Sequence, residues 1–298
     1  MTARPSSFEG FRVAKVVGDR PQDKQLAIVG RFEGSDEDAV VVVTQKHLAK
    51  DDAGELLRGI TKLDAHFEND IYSKYDAVPP SDLASLTVDL IYPATEQHIQ
   101  KHTDQEYAMV RETQADFEKC TLPFINSFPA SRMQWVYNIL EGKAEVDRIL
   151  FEDSDPDIGF MLIPDLKWDQ KNLEELYCVA ICKRRDIRSL RDLNVSQLPL
   201  LKHIRDQGCE AIESKFGVSR DQLRIFVHYP PSYYHFHVHF THVKCQGNGA
   251  MVGKAHLLED ILENIEFVDG DYYKKRSLFF VLGKNTDHWR RFQQQQPK

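Results

Sequence analysis

The chain is poor in cysteine, lacks long apolar runs and carries no excess of positive charge. Its 298 residues include five irregularly spaced cysteines, and this low, odd number favours a reducing compartment over a disulfide framework. No run of about eighteen apolar residues is present, and the first residues lack the apolar segment of a signal peptide. We therefore expect a protein of the cytoplasm, with the nucleus as an alternative, and no membrane partner.

The net charge of −8 argues against a protein that wraps long nucleic acid, because such binding needs many lysine and arginine contacts to phosphates. The densest basic stretch, Lys183–Arg191, is more typical of a solvated or salt-bridged loop than of a nucleic-acid patch. A local basic pocket for a small phosphorylated ligand stays compatible with this composition.

The length and the 42% hydrophobic content favour two domains. Short β-branched runs broken by glycine and charge occupy most of the first 95 residues, which predicts a small β-rich unit. After Thr95, a polar stretch has apolar residues at Ile99, Tyr107, Val110 and Phe117, which predicts one connecting helix. We predict an amino-terminal domain over 1–104, a connector over 105–125 and a carboxy-terminal domain over 126–298.

The second half alternates short apolar runs with one long amphipathic stretch, which predicts an α+β fold around an antiparallel sheet. Strands are expected near residues 148–152, in "FMLIPDLKW", around Cys178, and in "LRIFVHY" and "HFHVHFTHV". Asn194 and Gln197 form a candidate capping box before a helix that extends to Gly217. The run "RSLFFVLG" is predicted to close the same sheet.

The segment "HYPPSYYHFHVHF" concentrates histidine in a way that calls for a chemical explanation. Side chains alternate in a strand, so His235, His237 and His239 are predicted to line one face, with apolar residues on the other. Two of these histidines could share a zinc ion. His235 and His239 are about 13 Å apart at ~3.3 Å per residue, so one ion cannot bind all three. A histidine nucleophile for phosphoryl transfer uses the pattern better than an unreactive histidine-rich strand does.

The pattern "HFHVHFT" resembles the histidine triad superfamily of nucleotide hydrolases and transferases. The longer stretch "HYPPSYYHFHVHFTHV", with "LIPDLKW", "AICKRRDIRSLRDL", "QWVYNIL" and "NDIYSKY", resembles the scavenger mRNA decapping enzymes of that superfamily. The resemblance spans roughly Phe67 to Phe280. It implies hydrolysis of 7-methylguanosine cap dinucleotides and short capped RNA to 7-methylguanosine monophosphate and a diphosphate product, with no metal or other cofactor.

The resemblance also implies roles for residues in the carboxy-terminal domain. His237 is the implied nucleophile, and the groups expected to hold phosphates or assist the leaving group are His228, Ser232, His235 and His239. A 7-methylguanine cation favours an electron-rich aromatic face and acceptors at its edge. The implied binding residues are Trp135 and Leu166 for stacking, Glu145, Asp165 and the Pro164 carbonyl for the base edge and ribose, Tyr233 as a hydroxyl donor, and Lys167, Lys254 and Lys101 for the phosphates.

Asn69 and Tyr72 match positions through which the family's amino-terminal domain closes over the cap, so a lid and a domain-swapped homodimer are implied. Two residues depart from the family pattern. Pro230 replaces a usual leucine beside Pro231, and Lys254 replaces a usual arginine, which keeps a point charge but loses the guanidinium fork.

Two other functions stay open from the residues. A general dinucleoside polyphosphate hydrolase of the same superfamily needs neither Trp135 nor Glu145 for a methylated base. A cap-binding regulator sequesters its ligand without turnover, although a complete histidine triad is more than binding requires.

Overall fold

The computed structural model describes residues 7–46, 50–245 and 249–295, and the chain divides into two units, 1–105 and 106–298. The strands of the first unit are β1 (Phe11–Arg20), β2 (Gln25–Phe32), β3 (Ala39–Gln45), β4 (Asp64–Asn69), β5 (Tyr72–Asp76) and β6 (Leu86–Ile91). Its helices are α1 (Ala53–Gly59) and α2 (Glu96–His102).

In this first unit, an antiparallel sheet in the order β1-β2-β3-β6 carries the core, as its β-branched runs predict. Val29, Val40 and Val42 pack with Ile99 of α2. Strands β4 and β5 form a separate hairpin whose residues are all exposed.

The second unit contains most of the predicted site residues, including the histidines. Its strands are β7 (Tyr107–Glu112), β8 (Phe151–Glu152), β9 (Phe160–Pro164), β10 (Tyr177–Cys182), β11 (Leu223–His228), β12 (His237–His242), β13 (Ala255–Leu257) and β14 (Leu278–Gly283). Its helices are α3 (Gln114–Asp116), α4 (Leu122–Asn126), α5 (Gln134–Leu140), α6 (Leu198–Phe216), α7 (Leu258–Glu263), α8 (Tyr272–Lys275) and α9 (Asp287–Gln295).

The main sheet of this unit is antiparallel, in the order β13-β11-β12-β10-β9-β8. Helix α6 packs on one face, where a Cβ at Gly208 would come within 2.5 Å of the Phe240 ring. That close approach explains why glycine stands there. The α+β class is confirmed, and so is the capping box of Asn194 and Gln197, which precedes α6. No helix in the described part of the chain is long and apolar enough to span a bilayer.

Two predictions about elements are wrong. The helix after Thr95 ends at His102, and residues 107–112 form β7, because every second side chain, Val110 and Glu112, is buried. Strand β14 does not join the main sheet; it pairs with β7 in a second, two-stranded sheet. Pairing over such a separation in sequence leaves no local periodic signal.

The division of the chain into functional domains over 1–104, 105–125 and 126–298 stays a prediction.

Candidate functional site

Three buried histidines from two neighbouring strands form a cluster. His228 ends β11, while His237 and His239 lie on β12. The ring centroids of His228 and His239 are 4.1 Å apart, and those of His237 and His239 are 4.8 Å apart. We call these three residues the histidine cluster. His237 and His239 lie on one face of β12, and Val238 and Phe240 lie on the other face, as strand alternation requires.

His235 does not belong to the histidine cluster, and its place on the same strand face as His237 and His239 stays a prediction. Strand β12 begins only at His237, and the chain before it is bent rather than regularly paired. His235 donates its Nε2 proton to the Cys182 carbonyl at 2.8 Å, and its ring makes an edge contact with Tyr137. The neighbouring strand supplies His228 as the third member instead.

The hydrogen bond of His237 defines which nitrogen can react. Its Nδ1 lies 2.8 Å from the His235 carbonyl oxygen. A carbonyl can only accept, so Nδ1 carries the proton and Nε2 keeps a free lone pair. Burial lowers the pKa of His237 to about 4, although the hydrogen bond to the His235 carbonyl acts in the opposite direction. The imidazole is therefore neutral at neutral pH and suited to nucleophilic attack.

The other two members are held in similar ways. His228 Nε2 donates to the Gly249 carbonyl at 3.1 Å, and His239 Nδ1 lies 3.0 Å from the Tyr177 hydroxyl. Burial lowers the pKa of His228 to about 3 and that of His239 well below its usual value. Within the ranges that the structure describes, His239 Nε2 is buried without a hydrogen-bond partner.

Two lysines place positive charge beside the histidine cluster. Burial, and then the charge of Lys167, lowers the pKa of Lys254. Both lysines also disfavour protonation of His228 and His239. Neutral imidazoles next to ammonium groups form an environment that suits a polyphosphate. Ser232 is exposed and lines, together with Lys254, a cavity of about 670 Å³.

Tyr233 connects the histidine cluster to a second group of side chains. Its ring stacks on His237 with centroids 4.1 Å apart and an interplanar angle of 14°. The same ring makes an edge contact with Trp135 of α5 at 4.8 Å. One aromatic residue thus touches both the candidate nucleophile and the candidate base platform.

A small cleft of about 110 Å³, which we call the aromatic pocket, lies beside Tyr233. Trp135 is 46% exposed, and Leu166, in the turn after β9, is 81% exposed. The predicted binding residues that line the aromatic pocket are Trp135, Glu145, Pro164, Asp165, Leu166 and Tyr233. Lys167 is adjacent in sequence, and its backbone amide donates to the Asp165 carboxylate at 2.9 Å.

Sequence reasoning missed Arg148, which bridges two of these groups. Its Nη1 donates to the Glu145 carboxylate, and its Nη2 donates to the Pro164 carbonyl at 2.7 Å. Glu145 itself has a φ of +56°, in the left-handed region that side chains other than glycine rarely adopt. The guanidinium fork therefore holds two of the three predicted acceptors, the Glu145 carboxylate and the Pro164 carbonyl, in one arrangement.

A buried ion pair behind the histidine cluster was also missed. Arg191 Nη2 and the Glu112 carboxylate are 2.8 Å apart, and both side chains are fully buried. Tyr229, between His228 and Pro230, donates its hydroxyl proton to the same carboxylate. Its backbone amide donates to the Lys254 carbonyl at 2.8 Å. Tyr229 thus anchors the segment that carries His228 to a charge pair in the core.

The remaining predicted site residues lie in the first unit. Asn69 and Tyr72 face each other at the end of the β4–β5 hairpin, and Lys101 lies in the last turn of α2. In the second unit, the stretch Lys183–Arg191 is salt-bridged as predicted, except that its last residue is buried.

Two family models match the chain. The model described as scavenger mRNA decapping enzyme N-terminal matches residues 6–105, and the model described as scavenger mRNA decapping enzyme C-term binding matches residues 134–254.

Among curated proteins, the chain is 47% identical over 280 residues to a protein of Sus scrofa named m7GpppX diphosphatase, with 92% of this chain and 82% of that protein covered. The protein of the same name from Homo sapiens is 46% identical over the same shares of both chains. That from Ascaris suum is 39% identical over 288 residues, with 96% of this chain and 94% of that protein covered.

Proposed function

Since the chain belongs to the scavenger mRNA decapping enzyme family, we propose that it hydrolyses the triphosphate bridge of 7-methylguanosine cap dinucleotides and short capped oligonucleotides. The products are 7-methylguanosine monophosphate and a nucleoside or oligonucleotide diphosphate. The observation that carries this proposal is the contact of Tyr233 with both His237 and Trp135, which joins a nucleophile to an aromatic pocket. The relatives' name, m7GpppX diphosphatase, agrees with it.

The reaction begins at His237 Nε2, whose lone pair is free. It attacks the phosphorus next to the methylated guanosine, forms an N–P bond and expels the diphosphate with the electrons of the broken P–O bond. Water then attacks the phosphorus of the nucleotidyl-histidine and gives up a proton to solvent, the N–P bond breaks with its electrons returning to Nε2, and 7-methylguanosine monophosphate leaves the neutral imidazole. Lys167 and Lys254 stabilise charge on the phosphate oxygens, Ser232 is a neighbouring hydroxyl donor, and the neutral imidazoles of His228 and His239 flank the nucleophile.

The aromatic pocket provides the preference for a methylated base. Trp135 offers its exposed face to the positively charged 7-methylguanine, and Leu166 is free to cover the other side. Glu145, Asp165 and the Pro164 carbonyl supply acceptors, whereas a guanine edge supplies N–H donors. An unmethylated guanine lacks the positive charge and loses the cation–π contribution.

A lid and a homodimer complete the proposal. The β4–β5 hairpin exposes Phe67, Ile71 and Tyr72, an apolar surface suited to burial against another chain. The two-stranded sheet of the second unit exposes further apolar side chains on β7 and β14, which are Tyr107, Met109, Phe279 and Val281. We infer a domain-swapped homodimer in which Asn69, Tyr72 and Lys101 close over the cap. Light scattering coupled to gel filtration tests it, and a monomer at micromolar concentration would contradict it.

The decisive activity experiment offers the protein three substrates in the presence of a chelator. We expect rapid cleavage of the methylated cap dinucleotide, slow cleavage of the unmethylated one, and poor cleavage of a long capped RNA. Equal rates on both dinucleotides would indicate a general dinucleoside polyphosphate hydrolase. Tight binding of the methylated dinucleotide without products would indicate a cap-binding regulator. We also propose a cytoplasmic location, with the nucleus as an alternative, because five irregularly spaced cysteines favour a reducing compartment.

A further inference from the structure

The histidine cluster has the composition of a metal site. One ring nitrogen from each of His228, His237 and His239 lies within 4.8 Å of one from each other member. We propose that this cluster binds a divalent transition-metal ion of the zinc class, and that the bound ion switches the enzyme off. His235 is not part of this site, so the spacing that excludes a shared ion for His235 and His239 does not apply to it.

The hydrogen bonds around the cluster orient it for metal binding. Histidine ligands in metalloproteins donate their second ring N–H to a carbonyl, carboxylate or water, which fixes the ring and its tautomer. His237 donates from Nδ1 to the His235 carbonyl, and His228 donates from Nε2 to the Gly249 carbonyl. The Tyr177 hydroxyl can accept from His239 Nδ1. With the proton of His239 on Nδ1, lone pairs remain on Nε2 of His237 and His239 and on Nδ1 of His228.

The donor set selects the class of ion. Three neutral imidazoles suit Zn²⁺, Co²⁺, Ni²⁺ and Cu²⁺, whereas Mg²⁺ and Ca²⁺ prefer oxygen ligands. Zn–N bonds of about 2.1 Å place tetrahedral ligand atoms about 3.4 Å apart, so the three nitrogens must move together by roughly 1 Å. Small rotations of the imidazole rings supply such a movement. A fourth position then stays open for water or a phosphate oxygen.

The ring nitrogen Nε2 of His239 is a second observation that points to a metal ion bound at the histidine cluster. His239 Nε2 is buried and unpartnered among the described residues, although a buried polar atom without a partner is costly. A metal ion shared with His237 would satisfy it. The positive charges of Lys167 and Lys254 oppose a cation here, so they limit its affinity, and replacing Lys254 by methionine should tighten metal binding.

Inhibition follows from the use of the same electron pair. The lone pair on His237 Nε2 can bind a metal ion or attack phosphorus, but it cannot do both at once. This consequence depends on the proposed function, whereas metal binding itself does not. The two parts can therefore fail separately.

The binding experiment uses untagged, chelator-treated full-length protein and Co²⁺ or Zn²⁺ alone as the probe. We expect one ion per chain, with visible Co²⁺ absorption typical of a tetrahedral site and no sulfur-to-cobalt charge-transfer band. His239→Asn should lose this spectrum. The matched control His235→Asn should keep it, because His237 uses the backbone carbonyl of residue 235 and not its side chain. Mg²⁺ should not compete.

Loss of the spectrum in both variants, or in neither, would overturn the site. Because a variant can misfold, X-ray absorption spectroscopy of zinc bound to the wild-type protein provides an independent measurement. Three imidazole ligands would support the proposed site. Fewer than three imidazoles, or any sulfur ligand, would contradict it. Turnover of the methylated cap dinucleotide is then measured with stoichiometric Zn²⁺ and with chelator. We expect at least tenfold inhibition that chelator reverses. Full activity of the Zn²⁺-loaded enzyme would refute the switch, and absence of turnover under both conditions would refute the proposed function while leaving the binding result intact.

Discussion

The histidine cluster and the aromatic pocket lie in the same unit, yet they differ in how far their side chains are fixed. Each histidine of the cluster is buried and has a defined hydrogen bond. In the aromatic pocket, Trp135 is about half exposed to solvent and Leu166 is largely exposed. The proposed reactive groups are thus held by fixed contacts, whereas the proposed stacking surfaces are more open to solvent.

This difference suggests that the histidine cluster determines the rate of the chemical step and that the aromatic pocket determines substrate affinity. Preorganised groups act mainly on the transition state, so changes in the cluster should lower kcat. Exposed stacking groups bind the same base in the substrate and in the transition state, so changes there should mainly raise KM. Tyr233 touches both regions, and a change there is expected to affect both parameters.

The largest expected effect is that of His237→Asn. Removing the nucleophile should lower kcat by about 10⁴-fold or more, while the affinity for a cap dinucleotide stays within a few-fold. Rapid quench measures kcat, and a titration of the protein's intrinsic tryptophan fluorescence measures the affinity. His235→Asn serves as control, and its loss in kcat should be about tenfold. Comparable losses in both variants would remove the distinction that the structure makes between these histidines.

The next effect concerns the support behind the cluster. Glu112→Gln leaves Arg191 buried without a counter-charge and weakens the anchor of Tyr229, which should destabilise the protein by about 3–5 kcal/mol. Urea unfolding measures this free energy. The exposed pair of Lys244 and Glu174 is the control, and Glu174→Gln should leave the free energy of unfolding nearly unchanged. Equal midpoints for the two variants would contradict a structural role for the buried pair.

The sequence predicts these two regions unequally. Alternation along β12 correctly separates His237 and His239 from Val238 and Phe240, because strand geometry is local. It does not predict that His228 completes the cluster, since that depends on the pairing of β12 with β11. The residues of the aromatic pocket were named only through family resemblance, because a single tryptophan or glutamate has no diagnostic spacing.

The supporting contacts could not be predicted from the sequence at all. Tyr229 and Glu112 are 117 positions apart, and Arg148 reaches the Pro164 carbonyl across 16. No periodicity or motif links such pairs. The strand β7, which carries Glu112, was predicted as helix for the same reason: its partner β14 lies at the other end of the unit.

A smaller effect is expected in the aromatic pocket. Trp135→Ala removes the cation–π platform, worth about 2 kcal/mol, so KM for the methylated cap should rise about 30-fold. The same variant should leave KM for the unmethylated dinucleotide nearly unchanged. The ratio of the two KM values is therefore the measurement. A large fall in kcat instead would mean that Trp135 positions His237 through Tyr233 and is not chiefly a binding group.

The smallest effect is expected for Arg148→Lys, which tests whether the aromatic pocket is partly preorganised as well. A lysine cannot reproduce the fork that joins the Glu145 carboxylate to the Pro164 carbonyl. Loss of that bridge should weaken methylated-cap binding about tenfold, the worth of roughly one good hydrogen bond, with little change in kcat. Arg220→Lys, at an exposed salt bridge, is the matched control. Tighter cap binding by Arg148→Lys would reverse the interpretation, because Arg148 would then compete with the guanine edge for these two acceptors rather than hold them in place.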